Sequence, residues 1–400
     1  MANSQLFKWL SFLIFCICSA MTYADENSAS SVIRIATFNV SMEATNYTDE
    51  KLDDESNDIL TKELLSGKNS QIKNIAEIIQ RVRPNIILLN EFDYIQNPSR
   101  GVLAFIDQYL KLAQQSELSG IDYPYFFTAP VNTGEPSPYD FNRDGIASGK
   151  GEDAWGYGNY PGQYGMVVLS QFPIDIESIR TFKNFRWHDM PGALMPVDPA
   201  SGAPWYSQPQ WQDFRLSSKS HWDLPITIQN KKIHLLAQHP TPPVFDGPEN
   251  RNGLRNHDEI RLITDYLSGE SYLYDDAGSR EKFNGQRFVI LGDLNASVYS
   301  KETYPGTMEQ LLNHPKINSS FIPTSDGGKE NAPDDANSDE HTAFWKSRAD
   351  YVLPSKEGLE IVGGGVYWPT NDSALFRLVA DRKASSDHRL VYLDLKITDN

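Results

Sequence analysis

The sequence predicts an α/β protein. Short runs rich in Val, Ile, Leu and Phe at residues 32–40, 85–89, 232–237, 288–291 and 390–395 have the length and composition of buried strands. Between the first two, Ile72, Ile75, Ala76, Ile78, Ile79 and Val82 recur at helical spacing over residues 71–82. A chain of 400 residues, 40% hydrophobic and 22% charged, can also bury the core that such a sheet needs.

The first strand, 32–40, brings Asn39 to its end. A buried amide has up to four hydrogen-bonding positions to satisfy, so Asn39 either meets a partner or forms a strand-end turn. Arg83-Pro84 stops the helix, and the strand at 85–89 delivers Asn90 and Glu91. A glutamate one residue beyond four apolar residues is costly to bury unless it is paired or binds a metal. A helix is expected near 102–112, an aromatic strand near 125–128 and a further strand over 163–174. Residues 224–228 and 232–237 flank Gln229-Asn230-Lys231 as a hairpin, whose second strand runs into His239 and a rigid Pro-rich turn. That histidine serves either proton chemistry or capping.

A helix is expected over 253–267, with Asn256 or Asp258 capping its start or facing a cleft, and with Arg251 and Arg255 as candidates to hold phosphate oxygens. The strand at 288–291 stops at Gly292, and Asp293 and Asn295 follow two residues apart, so both tips can point into one cleft. Asp350 is embedded in a strand at 348–353, and Asp387-His388 stand directly before the last core strand.

Two long insertions interrupt this order, near 129–162 and near 180–220. In the first, Asp140, Asn142 and Asp144 precede Gly145 in the pattern that opens a calcium loop, although position twelve is Gly151 rather than glutamate. A structural Ca²⁺ or a solvated acidic turn fits that stretch. The aromatics of the second insertion either line a pocket or pack it onto the body.

The net charge of −17 argues against a nonspecific nucleic-acid binder, which draws affinity from excess Lys and Arg. Lys8, the apolar run 9–21 and Thr22-Tyr23-Ala24 have the layout of a secretion signal over 1–24, followed by a linker at 25–31 and a single domain over 32–397. Both cysteines, Cys16 and Cys18, fall within the signal, so the mature chain has no disulfide and no catalytic thiol. The product is expected to be a monomer, secreted or periplasmic, without stable membrane insertion. Nucleotide-binding glycine loops, zinc HExxH and GxSxG elbows are absent from the sequence.

Recurrent Glu, Asp and Asn at strand ends suit a hard cation such as Mg²⁺, and histidine beside carboxylates suits proton transfer or charge stabilisation on a phosphate. Metal-assisted hydrolysis of a phosphate ester asks for both. Thr37–Val40 (TFNV), Leu88–Glu91 (LLNE), the strand ending at His239, Gly292–Asn295 (GDLN), Ala349–Leu353 (ADYVL) and Ser386–His388 (SDH) together resemble the endonuclease/exonuclease/phosphatase superfamily. That family includes deoxyribonuclease I, abasic-site endonucleases, neutral sphingomyelinases and inositol polyphosphate 5-phosphatases. The resemblance implies a deoxyribonuclease I-like four-layer sandwich, two mixed β-sheets flanked by helices.

The resemblance also implies Glu91 as principal ligand of Mg²⁺ or Mn²⁺, with Asn39 close by and Asp387 a further ligand. His388 would contact the scissile phosphate, oriented by Asp350. Asp293 would align or deprotonate the water, Asn295 would position it, and His239 would support phosphate or leaving group. The insertions and the stretch 239–261 depart from the well-studied nucleases and look like those of exported bacterial members. The expected function is therefore an exported metal-dependent phosphoesterase acting on small-molecule or lipid-borne phosphate esters. The alternatives are a secreted nuclease on DNA or RNA and a non-catalytic binding protein that keeps the fold.

Overall fold

The computed structural model describes residues 32–53 and 56–399, so the expected secretion signal with Cys16 and Cys18, and the linker at 25–31, lie outside the described residues. In chain order the strands are β1 (Val32–Met42), β2 (Ile86–Phe92), β3 (Tyr125–Phe127), β4 (Met166–Ser170), β5 (Arg180–Thr181), β6 (His221–Ile228), β7 (Lys231–Gln238), β8 (Phe288–Asp293), β9 (Asp350–Pro354), β10 (Leu359–Val366) and β11 (Val391–Ile397). The helices are α1 (Asn57–Ser66), α2 (Ser70–Val82), α3 (Val102–Phe105), α4 (Gln208–Asp213), α5 (Arg251–Ser268), α6 (Thr307–Leu312) and α7 (Asp326–Asn331).

Two mixed sheets result, a 6-stranded one in the order β10-β11-β1-β2-β4-β3 and a 5-stranded one in the order β5-β6-β7-β8-β9. Strand alternation explains why both faces of the second sheet are buried. Val289 and Leu291 of β8, with Ile233, Leu235 and Ala237 of β7, join the core shared with β1 and β2. Phe288 and Ile290, with Leu236 and Tyr351, point the other way and pack with α5 and α6. Apolar residues of α1 and α2 join the core of the first sheet. Helix, sheet, sheet and helix make the four layers expected.

Strand direction sets where the chemistry can sit. β1 and β2 run parallel while β11 is antiparallel to β1. The C-terminal ends of β1 and β2 and the start of β11 therefore share one edge. In the second sheet β7 and β8 are parallel and β9 is antiparallel to β8, with Asp293 opposite Asp350. Their polar ends meet at one edge as well.

The helix at 71–82 is present, capped by the Asn69 side chain on the Ile72 amide and ended by Arg83 in a left-handed conformation. Other expectations are corrected. Helix α5 begins at Arg251, so Asn256 and Asp258 lie inside it and do not cap it. Asn256 donates to the Thr241 and Leu294 carbonyls, and Asp258 accepts from the Trp187 indole and the Leu194 amide. The helix expected near 102–112 is present, as four α-helical residues running into a π-helical turn at Ile106–Leu110. The aromatics Phe182, Phe185, Trp187 and Phe214 are buried in the core against α5, which fixes the second insertion onto the body.

Candidate active site

Asp293, at the end of β8, is the hub. Its Oδ2 accepts from Asn39 Nδ2 at 3.1 Å and lies 3.4 Å from Nε2 of both His239 and His388. Its Oδ1 accepts from the Asn295 amide at 2.9 Å, and its own N–H donates to Asn90 Oδ1 at 3.2 Å. On the far side of His388, Nδ1 sits 2.9 Å from Asp350 Oδ2, which also accepts from Thr342 Oγ1 at 2.7 Å.

A ring facing carboxylates at both nitrogens is satisfied only as imidazolium, which has two N–H donors. Burial pulls the His388 pKa down, but Asp350 and Asp293 outweigh it and hold the ring well above the usual histidine range. Burial pushes Asp293 up, yet the charge of His388, with hydrogen bonds from His239 and Asn39, holds it well below the usual carboxylate range. His239 goes the other way: burial, reinforced by the Lys219 charge, lowers it to about 4, so it is neutral at pH 7. Atoms of Asp293, Asp350 and His388 lie within 4.8 Å of one another, a spacing an ion can use. With both His388 nitrogens protonated the ring has no lone pair to give, and the trio is an ion-pair relay.

The oxygen donors for a metal lie next to it. Glu91 has a left-handed backbone (φ 56°) and a side chain 18% exposed. Burial raises its pKa to about 7, against the pull of Arg382, whose Nη2 is 3.7 Å from Oε2. Asp387 adds negative charge there and accepts from Ser41 Oγ at 3.2 Å. A poorly compensated carboxylate beside a second carboxylate and the Asn39 carbonyl oxygen is a set of hard donors, and it fits a divalent cation.

Asn39, Glu91, His239, Asp293, Asn295, Asp350, Asp387 and His388 thus come together from both sheets. Arg255 does not join them. Its buried guanidinium donates to the carbonyls of Leu216, Trp155 and Arg215, which corrects the phosphate-binding expectation. Arg251 is likewise paired with Glu249 and Glu152. Asp140 and Asp144 accept amides of their own turn, with Asn142 bonded to the Asp144 amide and carboxylate. The buried carboxylate of that insertion, Asp153, accepts from the Phe141, Asn142 and Ser148 amides.

Four contributors escape the sequence reading. Asn90 is visible beside Glu91 but carries no sign of its bond to Asp293. Lys219 lies in a serine-rich stretch before β6, Arg382 in a loop before β11, and Trp345 in a loop where its ring meets His388 edge-on at 4.6 Å between centroids. None of the three stands at an end of, or within, an apolar strand run, the signal that found the others.

The chain resembles several solved structures at low identity. The endonuclease/exonuclease/phosphatase from Beutenbergia cavernae DSM 12333 is 15% identical, covering 92% of this chain and 72% of that one, with TM-score 0.47. The human Nocturnin catalytic domain with bound sulfate is 13% identical, covering 92% and 95%, with TM-score 0.42. A Staphylococcus aureus beta toxin mutant with bound magnesium ions is 14% identical, covering 91% and 99%, with TM-score 0.43. No curated protein matches the chain. The profile of the Endonuclease/Exonuclease/phosphatase family, however, matches residues 36–388. With so much of its length matched, from the first strand to the terminal Asp-His pair, the chain belongs to the endonuclease/exonuclease/phosphatase family, whose members are hydrolases acting on phosphoester bonds.

Proposed function

We propose that the chain is an exported phosphoesterase that hydrolyses small-molecule or lipid-borne phosphate esters with a bound divalent metal. The observation that carries this reading is the Asp293 hub, with Asn39, His239 and His388 around one carboxylate oxygen. Glu91, Asn39 and Asp387 would hold Mg²⁺ or Mn²⁺. When bound, that ion supplies Lewis acidity and neutralises charge developing on the phosphate.

The chain's own groups do the rest. Asp293 is ionised and surrounded by donors, so it orients a water through an accepted hydrogen bond and receives its proton as the new P–O bond forms and the ester P–O bond breaks, the leaving oxygen taking its proton from solvent. Asn295, tied to Asp293 and to the Pro240 carbonyl at 3.2 Å, positions that water. His388 keeps its proton throughout the neutral range and presents fixed positive charge to the phosphate. Asp350 holds the ring in that orientation, and His239 offers a neutral N–H.

The substrate class rests on surface chemistry. A net charge of −17 disfavours long polyanions, while Trp345 (49% exposed) and Phe344 (54% exposed) give the His388 side of the site an apolar rim suited to a leaving group with apolar surface. The mature chain from Asp25 onward is assayed on a chromogenic phosphodiester, a phosphomonoester and plasmid DNA, each with Mg²⁺ and with chelator. Chelator-sensitive cleavage of the diester or monoester is expected, and Asp293→Asn lowers kcat by about 10²–10⁴-fold. Preference for plasmid DNA turns the reading to a nuclease, and full activity in Asp293→Asn removes the mechanism. Export is checked by N-terminal sequencing of the mature chain, expected to start near Asp25.

A further inference from the structure

We propose that Lys219 is a catalytic residue whose ammonium holds a non-bridging oxygen of the scissile phosphate beside the Asn295 amide. The inference rests on the phosphoesterase reading above and adds a cation that none of the family motifs contains.

Topology puts Lys219 at the site. β6 and β7 pair antiparallel with His221 opposite Gln238, so the residues just before β6 lie beside those just after β7. Those are His239 and Pro240. Lysine is almost never fully buried unless paired, and Lys219 is 5% exposed. Its hydrogen bond is a long one to a neutral acceptor, Nζ to the Pro240 carbonyl at 3.5 Å. An ammonium has three donors, so two remain for a ligand.

The same Pro240 carbonyl accepts from Asn295 Nδ2 at 3.2 Å. Two donors that share one acceptor converge on one small region, and here that region adjoins Asp293. Burial lowers the Lys219 pKa, and the nearby charges of Glu259, Glu91 and Asp293 oppose that shift and favour the ammonium. With no carboxylate in hydrogen-bond contact, a desolvated cation is incompletely compensated, and an arriving phosphate oxygen relieves that deficit.

The position is rigidly held. Glu259 of α5 accepts the Ser218 amide on one carboxylate oxygen and the Thr241 amide on the other, both at 2.6 Å. It thereby ties the Lys219 loop to the loop carrying His239. The first insertion braces the other side: the Asn132 amide donates to the Lys219 carbonyl at 3.0 Å. Gly156 approaches so closely that a Cβ there would stand 2.0 Å from the Ser218 carbonyl oxygen. Bracing on two sides is what a phosphate contact needs, since misplacement forfeits electrostatic stabilisation.

The test compares wild type, Lys219→Met and Lys219→Arg as metal-loaded mature chains. Inorganic phosphate binding is measured by calorimetry, kcat and KM on a chromogenic ester, and melting temperature as control. Lys219→Met is expected to weaken phosphate at least about tenfold and to lower kcat by about 10²-fold, with unchanged or raised melting temperature. Lys219→Arg should recover part of the phosphate affinity. If Lys219→Met stays within about threefold of an active wild type on both readouts, the lysine is filler and the phosphoesterase reading stands without it. A wild type that neither binds phosphate nor cleaves any ester overturns that reading and this inference together. Should Lys219→Met fail to fold, the wild-type structure with bound phosphate decides. An oxygen within about 3.5 Å of Nζ supports the contact, and a phosphate held farther away refutes it.

Discussion

At the scale of single residues, the site concentrates groups that a metal-free protein holds at some cost. Glu91 combines a left-handed backbone with a buried carboxylate, each of which is tolerated chiefly at functional positions. Its pKa of about 7 lies above its ordinary 4.5, so the folded chain binds this proton more tightly than the unfolded chain. Stability of the metal-free protein should therefore fall as pH rises from about 4.5 through 7, by about 3 kcal/mol from this group. Glu91→Gln removes the titration. The variant should melt higher than wild type at pH 8 without metal, and the gap should close near pH 5. His239 titrates in the opposite sense, but it is common to both proteins and cancels in the difference. Adding Mg²⁺ at pH 8 should stabilise wild type and leave Glu91→Gln unmoved; an equal shift in both would place the ion elsewhere. The carboxylates and histidines of the site were legible in the sequence because each interrupts, ends or directly precedes an apolar run. Lys219, Arg382 and Trp345 were not, because loops bring them in and only tertiary contact gives them meaning.

At the scale of elements, strand ends are what position the chemistry, and β8 is the most constrained of them. Gly292 has φ 149° and lies so close to β7 that a Cβ would stand 1.9 Å from the Gln238 carbonyl oxygen. The glycine lets β7 and β8 stay paired up to Leu291, two residues before Asp293. Gly292→Ala should force the strands apart, destabilising by about 3 kcal/mol, the upper range of overpacking penalties. It should also lower kcat more than it raises KM, because Asp293 moves relative to His388. A variant that keeps wild-type kcat and melting temperature would show that the two strands adjust without moving the hub. Elements with clean periodicity, such as α2 and β8, were readable from sequence. β10 was not, because Gly363, Gly364 and Gly365 erase the β-branched signature of a strand that pairing with β11 nevertheless completes. Short helices such as α4 and α6 were equally hidden, since six residues carry too little periodicity to stand out.

At the scale of the whole molecule, the site exists only where the two sheets face each other. Asn39, Glu91, Asp387 and His388 come from the first sheet or the turn entering it, and His239, Asp293 and Asp350 from the second. Sequence could order these motifs along the chain, but registering one sheet on the other depends on packing between faces that no local pattern encodes. Asn90 is one of the side chains that span the gap. Its Oδ1 accepts from the Asp293 amide and from Thr37 Oγ1, both at 3.2 Å, and its Nδ2 donates to the Gln238 carbonyl at 3.4 Å. It touches neither a metal donor nor a phosphate position, so it acts by positioning Asp293. Asn90→Ala leaves the buried Asp293 amide, the Thr37 hydroxyl and the Gln238 carbonyl without this partner, each at about 1–3 kcal/mol when unsatisfied. The sheets should then hold Asp293 less rigidly: kcat falls at least about tenfold, KM changes little, and Mg²⁺ still raises the melting temperature because Glu91 is untouched. Retention of wild-type kcat in a destabilised Asn90→Ala would mean that strand pairing alone places Asp293. Loss of the magnesium response would mean that the metal donors and the hub form one coupled unit across both sheets.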